Sequence, residues 1–434
     1  METSELTEPR VLPRSEHSIS RKRISTNALK VLYRLHRSDH RAYLVGGGVR
    51  DLLLGHEPKD FDVATDARPN EIRRLFRNSR IIGRRFRLVH VFFQDEIIEV
   101  STFRRDPDPD DQDSAPDDLL ITSDNAFGTP EEDAFRRDFT VNALFYSIDD
   151  FSVIDYVGGL EDLERQIVRT IGEPAIRFQE DPVRMVRACE FAARLGFAID
   201  AASQEAILAH REDLGKASAA RLSEEVMQLL RCGHAGRALQ WMLDLRLLDV
   251  VLPEALAMVN GADLGGERLG RIIPVIDKWV EEGREISDAA LLGAVLLPGL
   301  LARRKELEGK RDRPLSRRAS ELVAAEVIAP LATRLRLSRD RATRVERALL
   351  TLDRLRSGGL TDGERVKLAG RSAFDDALAL LELISGVQGG GEDELQVWKE
   401  IQRRMASARE RSEPQGENRA RRRRRRPRRR HRRH

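Results

Sequence analysis

The chain has 434 residues, of which 41% are hydrophobic, 34% charged and only 5% aromatic, and its formal net charge is +3. That length allows two to four domains with a sizeable core, and many charges beside few aromatics favour a largely helical protein over an all-β one. No run of about 18 apolar residues occurs, so no transmembrane helix is expected. The opening METSELTEPR lacks the basic and apolar stretches of a secretory signal. The two cysteines, Cys189 and Cys232, stand far apart with no CxxC spacing; they cannot form a zinc site alone and read as buried thiols in a reducing, cytoplasmic setting. The charge is unevenly spread. From Arg419 onward the chain reads RARRRRRRPRRRHRRH, about a dozen arginines, whereas the remainder is mildly acidic. So dense a run suits a disordered arm that binds a polyanion, either RNA or an acidic membrane surface.

In chain order, residues 1–20 read as a flexible lead. Ser25 to Arg37 reads as an amphipathic helix, because Ile24, Leu29, Leu32 and Leu35 recur near helical spacing and Ser25 can cap it. Ala42 to Val45 is a short strand ending in Gly46-Gly47-Gly48, and Val49 to Leu54 opens a helix that stops at Gly55. Lys59 to Ala64 reads as a strand, Asn70 to Phe76 as a helix, and Ile81-Ile82, Arg87 to Phe93 and Ile97 to Phe103 as further strands. Asp106 to Asp118, acidic and proline-rich, reads as a mobile loop. Beyond Gly159 helical periodicity dominates to about Arg409, with breaks expected near Pro253, Gly261 to Gly266, Pro298, Pro314, Gly358-Gly359 and Gly389 to Gly391. The expected fold class is therefore α+β: a head with a mixed sheet and helices over 21–158, a helical neck over 159–250, a helical body over 251–410 and a disordered basic tail over 411–434.

The residues that carry chemistry lie close together. In LVGGGVRDLLLG, 44–55, a strand runs into a glycine turn that opens a helix, so backbone N–H groups can approach a phosphate and the helix N-terminus favours the anion. Gly47 and Arg50 are the candidates for phosphate contact. In KDFDVATDA, 59–67, Asp60 and Asp62 stand at i and i+2, so both carboxylates project from one face of a strand. Carboxylates placed in this way suit divalent metal ions, and two Mg²⁺ ions are a known means of displacing pyrophosphate from a nucleotide. A third acid is expected, and two compete for the role: Glu99 within Ile97-Ile98-Glu99-Val100, and Asp138 within RRDFT. Spacing alone does not choose between them. His90, flanked by Val89 and Val91, reads as a packed strand residue.

Gly46-Gly47, Arg50, Asp51, Lys59, Asp60, Phe61 and Asp62 together resemble the head of the polymerase-β-like nucleotidyltransferase superfamily. Within it they resemble the class that contains bacterial CCA-adding enzymes and bacterial poly(A) polymerases. The likeness continues through Arg136 to Ala143 (RRDFTVNA) and Glu180 to Arg187 (EDPVRMVR), and so covers roughly residues 20 to 250. It implies transfer of a nucleotide from ATP to RNA 3′ ends, with Mg²⁺ as cofactor. It also implies Asp138 as the third catalytic acid and nucleotide contacts from Arg137, Asp181, Arg184 and Arg187. In such enzymes the aspartate accepts from the exocyclic amine of the base and the arginine donates to a ring nitrogen, which selects A or C. Glu190 departs from the pattern, where relatives often carry a basic residue. Ile81 to Val91 (IIGRRFRLVHV) resembles a signature of the poly(A) polymerases, which implies AMP addition in mRNA polyadenylation and RNA decay, with RNA-decay proteins as partners; the basic tail by its charge suits peripheral association with an acidic membrane surface. The alternatives are a CCA-adding enzyme and an inactive RNA-binding adaptor.

Overall fold

The computed structural model describes residues 8–83, 87–105, 126–259, 263–264, 267–268, 272–310, 315–357, 359–388 and 392–412. The acidic stretch 106–118, Arg84-Arg85-Phe86 of the signature and the basic tail from 413 lie outside them. The chain divides into two compact units: residues 1–259 with 277–283 and 334–336, and residues 260–276, 284–333 and 337–434.

The first unit is built on an eight-stranded sheet. Its strands are β1 (Arg10–Leu12), β2 (Ala42–Val45), β3 (Asp62–Thr65), β4 (Ser79–Ile82), β5 (Leu88–Phe92), β6 (Ile97–Thr102), β7 (Leu144–Ser147) and β8 (Val153–Asp155), in spatial order β1-β8-β7-β2-β3-β6-β5-β4. Every neighbouring pair is antiparallel except β3 with β6, where Asp62 stands opposite Glu99. Helix α1 (Thr26–His36) forms where the apolar spacing predicts it, and the Ser25 hydroxyl accepts from the N–H groups of Asn27 and Ala28. Its buried Ala28, Val31, Leu32 and Leu35 join Leu44, Val63, Val89, Val91, Ile98 and Val100 of the sheet in the main core of the head. Helix α2 (Gly47–Leu53) follows β2 directly, and α3 (Pro69–Leu75) follows β3.

Part of the expected flexible lead is ordered. Arg10–Leu12 pairs antiparallel with Val153–Asp155, and Ile19 is fully buried in the core. Apolar side chains that find a pocket are enough to fix a terminal segment, and a count of polar residues cannot show that. The third strand also differs from expectation. Its ladder begins at Asp62, so Asp60 lies in the extended lead-in, one residue beyond Phe61. Exposure still alternates (Asp60 and Asp62 exposed, Phe61 and Val63 buried), so the two acids keep a common face.

Helices continue the first unit: α4 (Pro130–Phe135), α5 (Gly159–Arg165), α6 (Pro174–Glu180), α7 (Arg184–Leu195), α8 (Ala201–His210), α9 (Ala219–Leu230), α10 (Ala235–Asp244), α11 (Leu248–Val251) and α12 (Leu256–Val259). Between them β9 (Ile167–Val168) pairs parallel with β10 (Ala198–Ile199). Cys189 is buried within α7, and Cys232 is partly buried.

In the second unit the short pair β11 (Asp263–Leu264) and β12 (Glu267–Arg268) precedes α13 (Ile272–Glu281), whose residues from Asp277 onward belong to the first unit. There follow α14 (Asp288–Gly309), α15 (Arg317–Arg334), α16 (Arg339–Arg356), α17 (Asp362–Ala369), α18 (Phe374–Gln388) and α19 (Glu392–Ser412). Helices α14, α16 and α18 pack on one another. Trp398 of α19 is buried and donates to the Leu355 carbonyl at 3.2 Å. The break expected at Pro298 is absent, because α14 runs through it. An internal proline loses one backbone hydrogen bond and crowds the preceding turn; here burial of Leu291, Leu292, Val295, Leu296, Leu297 and Leu300 along the same helix offsets that cost.

Candidate active site

The site is assembled at the C-terminal end of β2. Gly46 has φ +72°, a left-handed conformation that a side chain would strain, and it turns the chain from the strand into α2. A Cβ at Gly46 would also lie 3.2 Å from an Arg137 Nη. Arg137 thus rests against the glycine turn. It is fixed there by Asp133, which accepts from its Nη2 at 2.9 Å and its Nε at 3.2 Å. Asp133 accepts from the Arg104 backbone N–H as well, which ties α4 to the end of β6.

Asp62 pairs across the sheet with Val45, the residue before this turn, and on its other side with Glu99. Glu99 in turn pairs with His90, whose Nε2 lies 3.2 Å from its carboxylate. His90 is partly buried, packs edge-on against the Phe92 ring, as a packed strand histidine would, and adds an ion-pair partner in Glu99. Partial loss of water, then Glu99, then Asp60 push the Asp62 carboxyl up to about 6, with Arg137 opposing them. Among the described residues no three His, Cys, Asp or Glu groups are close enough to enclose an ion. Two accessible carboxylates nevertheless fit Mg²⁺, which retains waters and is held through one or two carboxylates plus substrate phosphates.

Arg50 and Asp138, both expected at the reaction, are engaged elsewhere. The Arg50 side chain is buried against Asp51 at 2.7 Å, donates to the Asn142 side-chain oxygen and lies 5.6 Å from the Phe191 ring centroid. It supports the glycine turn from beneath. Asp138 accepts from Arg187 Nη2 and Nε at 2.8 and 3.0 Å, from the Phe139 N–H at 2.8 Å and from Asn142 Nδ2 at 3.3 Å. Burial alone would raise its pKa. The charge of Arg187 and these hydrogen bonds outweigh burial and hold the carboxyl below its usual range. Arg187 also donates to Glu225 of α9 at 3.1 Å. A chain of polar contacts thus runs Asp51–Arg50–Asn142–Asp138–Arg187–Glu225, joining α2 to the neck helices α7 and α9.

Asp181 and Arg184 are neighbours, with Arg184 Nε 3.9 Å from the carboxylate. Asp181 is the C-terminal cap of α6 and not the N-terminal cap of α7. Its carboxylate is held in a two-pronged ion pair by Arg221, at 3.0 and 2.8 Å. Arg184 is buried and donates to the carbonyls of Arg177 and Arg136 at 3.3 and 3.4 Å. Arg177, also buried, places Nη2 against the carbonyls of Phe135, Arg136 and Arg137 and so binds α6 to the end of α4. Glu190 is buried and faces Arg194 at 3.6 Å. Sequence reasoning passed over Asn142, Arg177, Arg221 and Glu225. Glu225 had a signal, since it is an acid between Leu222, Val226 and Leu229 on the apolar stripe of a helix. Asn142 lay within the RRDFTVNA motif but was given no role, and Arg177 and Arg221 had no signal.

A glycine turn beside paired acids on a mixed sheet, followed by a helical neck, defines a nucleotidyltransferase head. Residues 42–169 match the poly A polymerase head domain, and residues 196–258 match a probable RNA and SrmB-binding site of polymerase A. The chain is 45% identical over 297 residues to Poly(A) polymerase I of Salmonella typhi, a match that spans 67% of this chain and 64% of that relative. It is 35% identical over 401 residues to Poly(A) polymerase I of Haemophilus influenzae, covering 89% of this chain and 86% of the relative. Its fold is similar to the crystal structure of the Bacillus stearothermophilus CCA-adding enzyme in complex with CTP, with TM-score 0.62, 26% identity, and coverage of 88% and 82% of the two chains. The chain belongs to the bacterial poly(A) polymerases of the tRNA nucleotidyltransferase/poly(A) polymerase family.

Proposed function

We propose that the chain adds AMP from ATP to RNA 3′ ends without a template, releasing pyrophosphate. The observation that supports this reading is the grouping of Asp60 and Asp62 on one open face beside the glycine turn and Arg137. Asp60 and Asp62 would hold Mg²⁺, which when bound lowers the pKa of the attacking hydroxyl and stabilises charge on the triphosphate. Backbone N–H groups at Gly47 and the Arg137 guanidinium orient the phosphates. Of the two candidates for a third acid, Glu99 stands next to Asp62 while Asp138 has its lone pairs committed, so the geometry favours Glu99 at the reaction and gives Asp138 the task of holding Arg187. Arg50 and Arg187 then act on the nucleotide through the elements they fix. Incubation of the purified chain with Mg²⁺, a generic RNA and each NTP in turn tests the reading. Long products with ATP alone are expected. Arrest after one or a few additions, confined to tRNA, would make it a CCA-adding enzyme, and no incorporation at all would leave an RNA-binding adaptor.

Base choice rests on Asp181 and Arg184. The Arg221 pair holds the Asp181 carboxylate in one orientation and leaves it lone pairs for an exocyclic amine, while Arg184 supplies the donor to a ring nitrogen. Arg184→Ala is expected to loosen selection among NTPs more than it weakens triphosphate binding. Single additions with ATP, CTP, GTP and UTP read this out, and an unchanged ATP preference would return Arg184 to a packing role.

The basic tail serves RNA binding. Deletion from Arg419 is expected to weaken RNA binding and processive extension while sparing single additions, with the difference closing as salt rises because arginine–phosphate contacts release counter-ions. Equal affinities and salt slopes for the two forms would assign the tail to an RNA-decay protein or an acidic membrane surface. We place the activity in the cytoplasm, in mRNA polyadenylation and RNA decay.

A further inference from the structure

The second unit carries a groove of about 990 Å³ between α15, α16 and the turn that joins α17 to α18. Two of its acids are neutralised within the unit: Glu321 pairs with Arg317 at 3.0 Å, and Asp353 pairs with Arg304. Arg347 and Arg371, by contrast, line the groove, are exposed, and make no side-chain hydrogen bond or ion pair with any described residue. Arg354 adds a further guanidinium to the lining beside those of Arg347, Arg371 and the paired Arg317, with Glu364 within electrostatic reach. Glu346 is the acid of the lining that remains without an ion pair among the described residues, so positive charge is in excess. Hydroxyl groups of Ser320, Thr343 and Ser372 stand along the same walls.

Guanidinium groups left open beside hydroxyl donors, on three elements of one groove, form a donor set for phosphate oxygens. No aromatic side chain lines the groove among the described residues, so it offers no surface on which a base can stack. From these features we propose that the groove binds the sugar–phosphate backbone of single-stranded RNA, with Arg347 and Arg371 each contacting a phosphate and with no preference for base. This rests on the reading that RNA is the substrate, and adds a second contact surface outside the head and neck.

The test uses the full-length chain and its Arg347→Gln/Arg371→Gln double variant, with fluorescent oligo(A) and oligo(U) titrated in the absence of ATP at several salt concentrations. Loss of two phosphate contacts is expected to lower affinity about tenfold near 0.1 M salt and to flatten the plot of log K against log salt by about 0.7 per contact. The loss should be equal for both RNAs, with ATP binding and melting temperature unchanged. Unaltered affinity and slope would overturn the proposal, as would a loss confined to one RNA, which signals base reading, or wild-type binding too weak to measure. Transfer of AMP is assayed separately. If the wild-type chain adds no AMP yet the variant loses RNA affinity as described, the activity assignment falls and the groove stands.

Discussion

Asp62→Asn is expected to reduce AMP incorporation by about a thousandfold or more if, as proposed, Asp62 holds a metal ion worth several kcal/mol in the transition state. The same variant should be more stable than the wild-type chain. With its carboxyl pushed up to about 6, the folded protein binds a proton at Asp62 more readily than the unfolded chain. Wild-type stability therefore falls as pH rises from about 4 to 6, and the deficit persists above that. Asparagine removes the charge, so in metal-free buffer the variant should melt above the wild type at pH 8 and level with it near pH 4. Added Mg²⁺ should raise the melting temperature of the wild type and not of the variant. Equal melting at pH 8 would remove the raised Asp62 pKa, whereas near-normal activity, or a wild-type melting temperature that Mg²⁺ leaves unchanged, would remove Asp62 from the metal site. Asp60→Asn should match it in activity.

Asp138→Ala is expected to cost about 3 kcal/mol of stability, because it leaves Arg187 partly buried with one of its two acidic partners gone. Arg187→Ala should cost a similar amount, and the double variant much less than the sum, since both remove the same pair. Asp138 has a lowered pKa, so its contribution is present above the ordinary carboxylate range and disappears as pH falls through the depressed value. The penalty of the single variant should shrink accordingly in strong acid. Activity separates this role from direct participation. Glu99→Gln should slow AMP transfer by orders of magnitude with little change in melting, whereas Asp138→Asn should lose activity in proportion to lost stability. A well-folded Asp138→Asn chain devoid of activity, beside an active Glu99→Gln chain, would restore Asp138 as the third acid.

The elements that sequence made legible are those whose reasons are local. Ser25 followed by apolar residues at helical spacing specifies α1, and a hydrophobic tetrapeptide ahead of three glycines specifies β2 and its turn. The common face of Asp60 and Asp62 follows from a period of two and survives a shift in the strand boundary. The partners of Arg50 were not legible, because an arginine beside a phosphate turn and an arginine beneath one have the same sequence context. Only the packing of Phe191 and Asn142 shows that this one points inward. Asp138 and Glu99 could not be separated for a similar reason. The choice depends on β3 lying parallel to β6 with Asp62 opposite Glu99, and on α7 delivering Arg187 to Asp138. Both are pairings between distant parts of the chain, and no spacing rule encodes them.

The pairing of β1 with β8 bears on how the chain is made. Arg10 meets Asp155, so the first strand leaves the ribosome on the order of ten seconds before its partner, at ordinary rates of synthesis. Through that interval Arg10–Leu12 has no partner strand. Ribosomes stalled before residue 153 should therefore carry a head whose amino terminus is open to protease, and those stalled well beyond residue 155 should protect it.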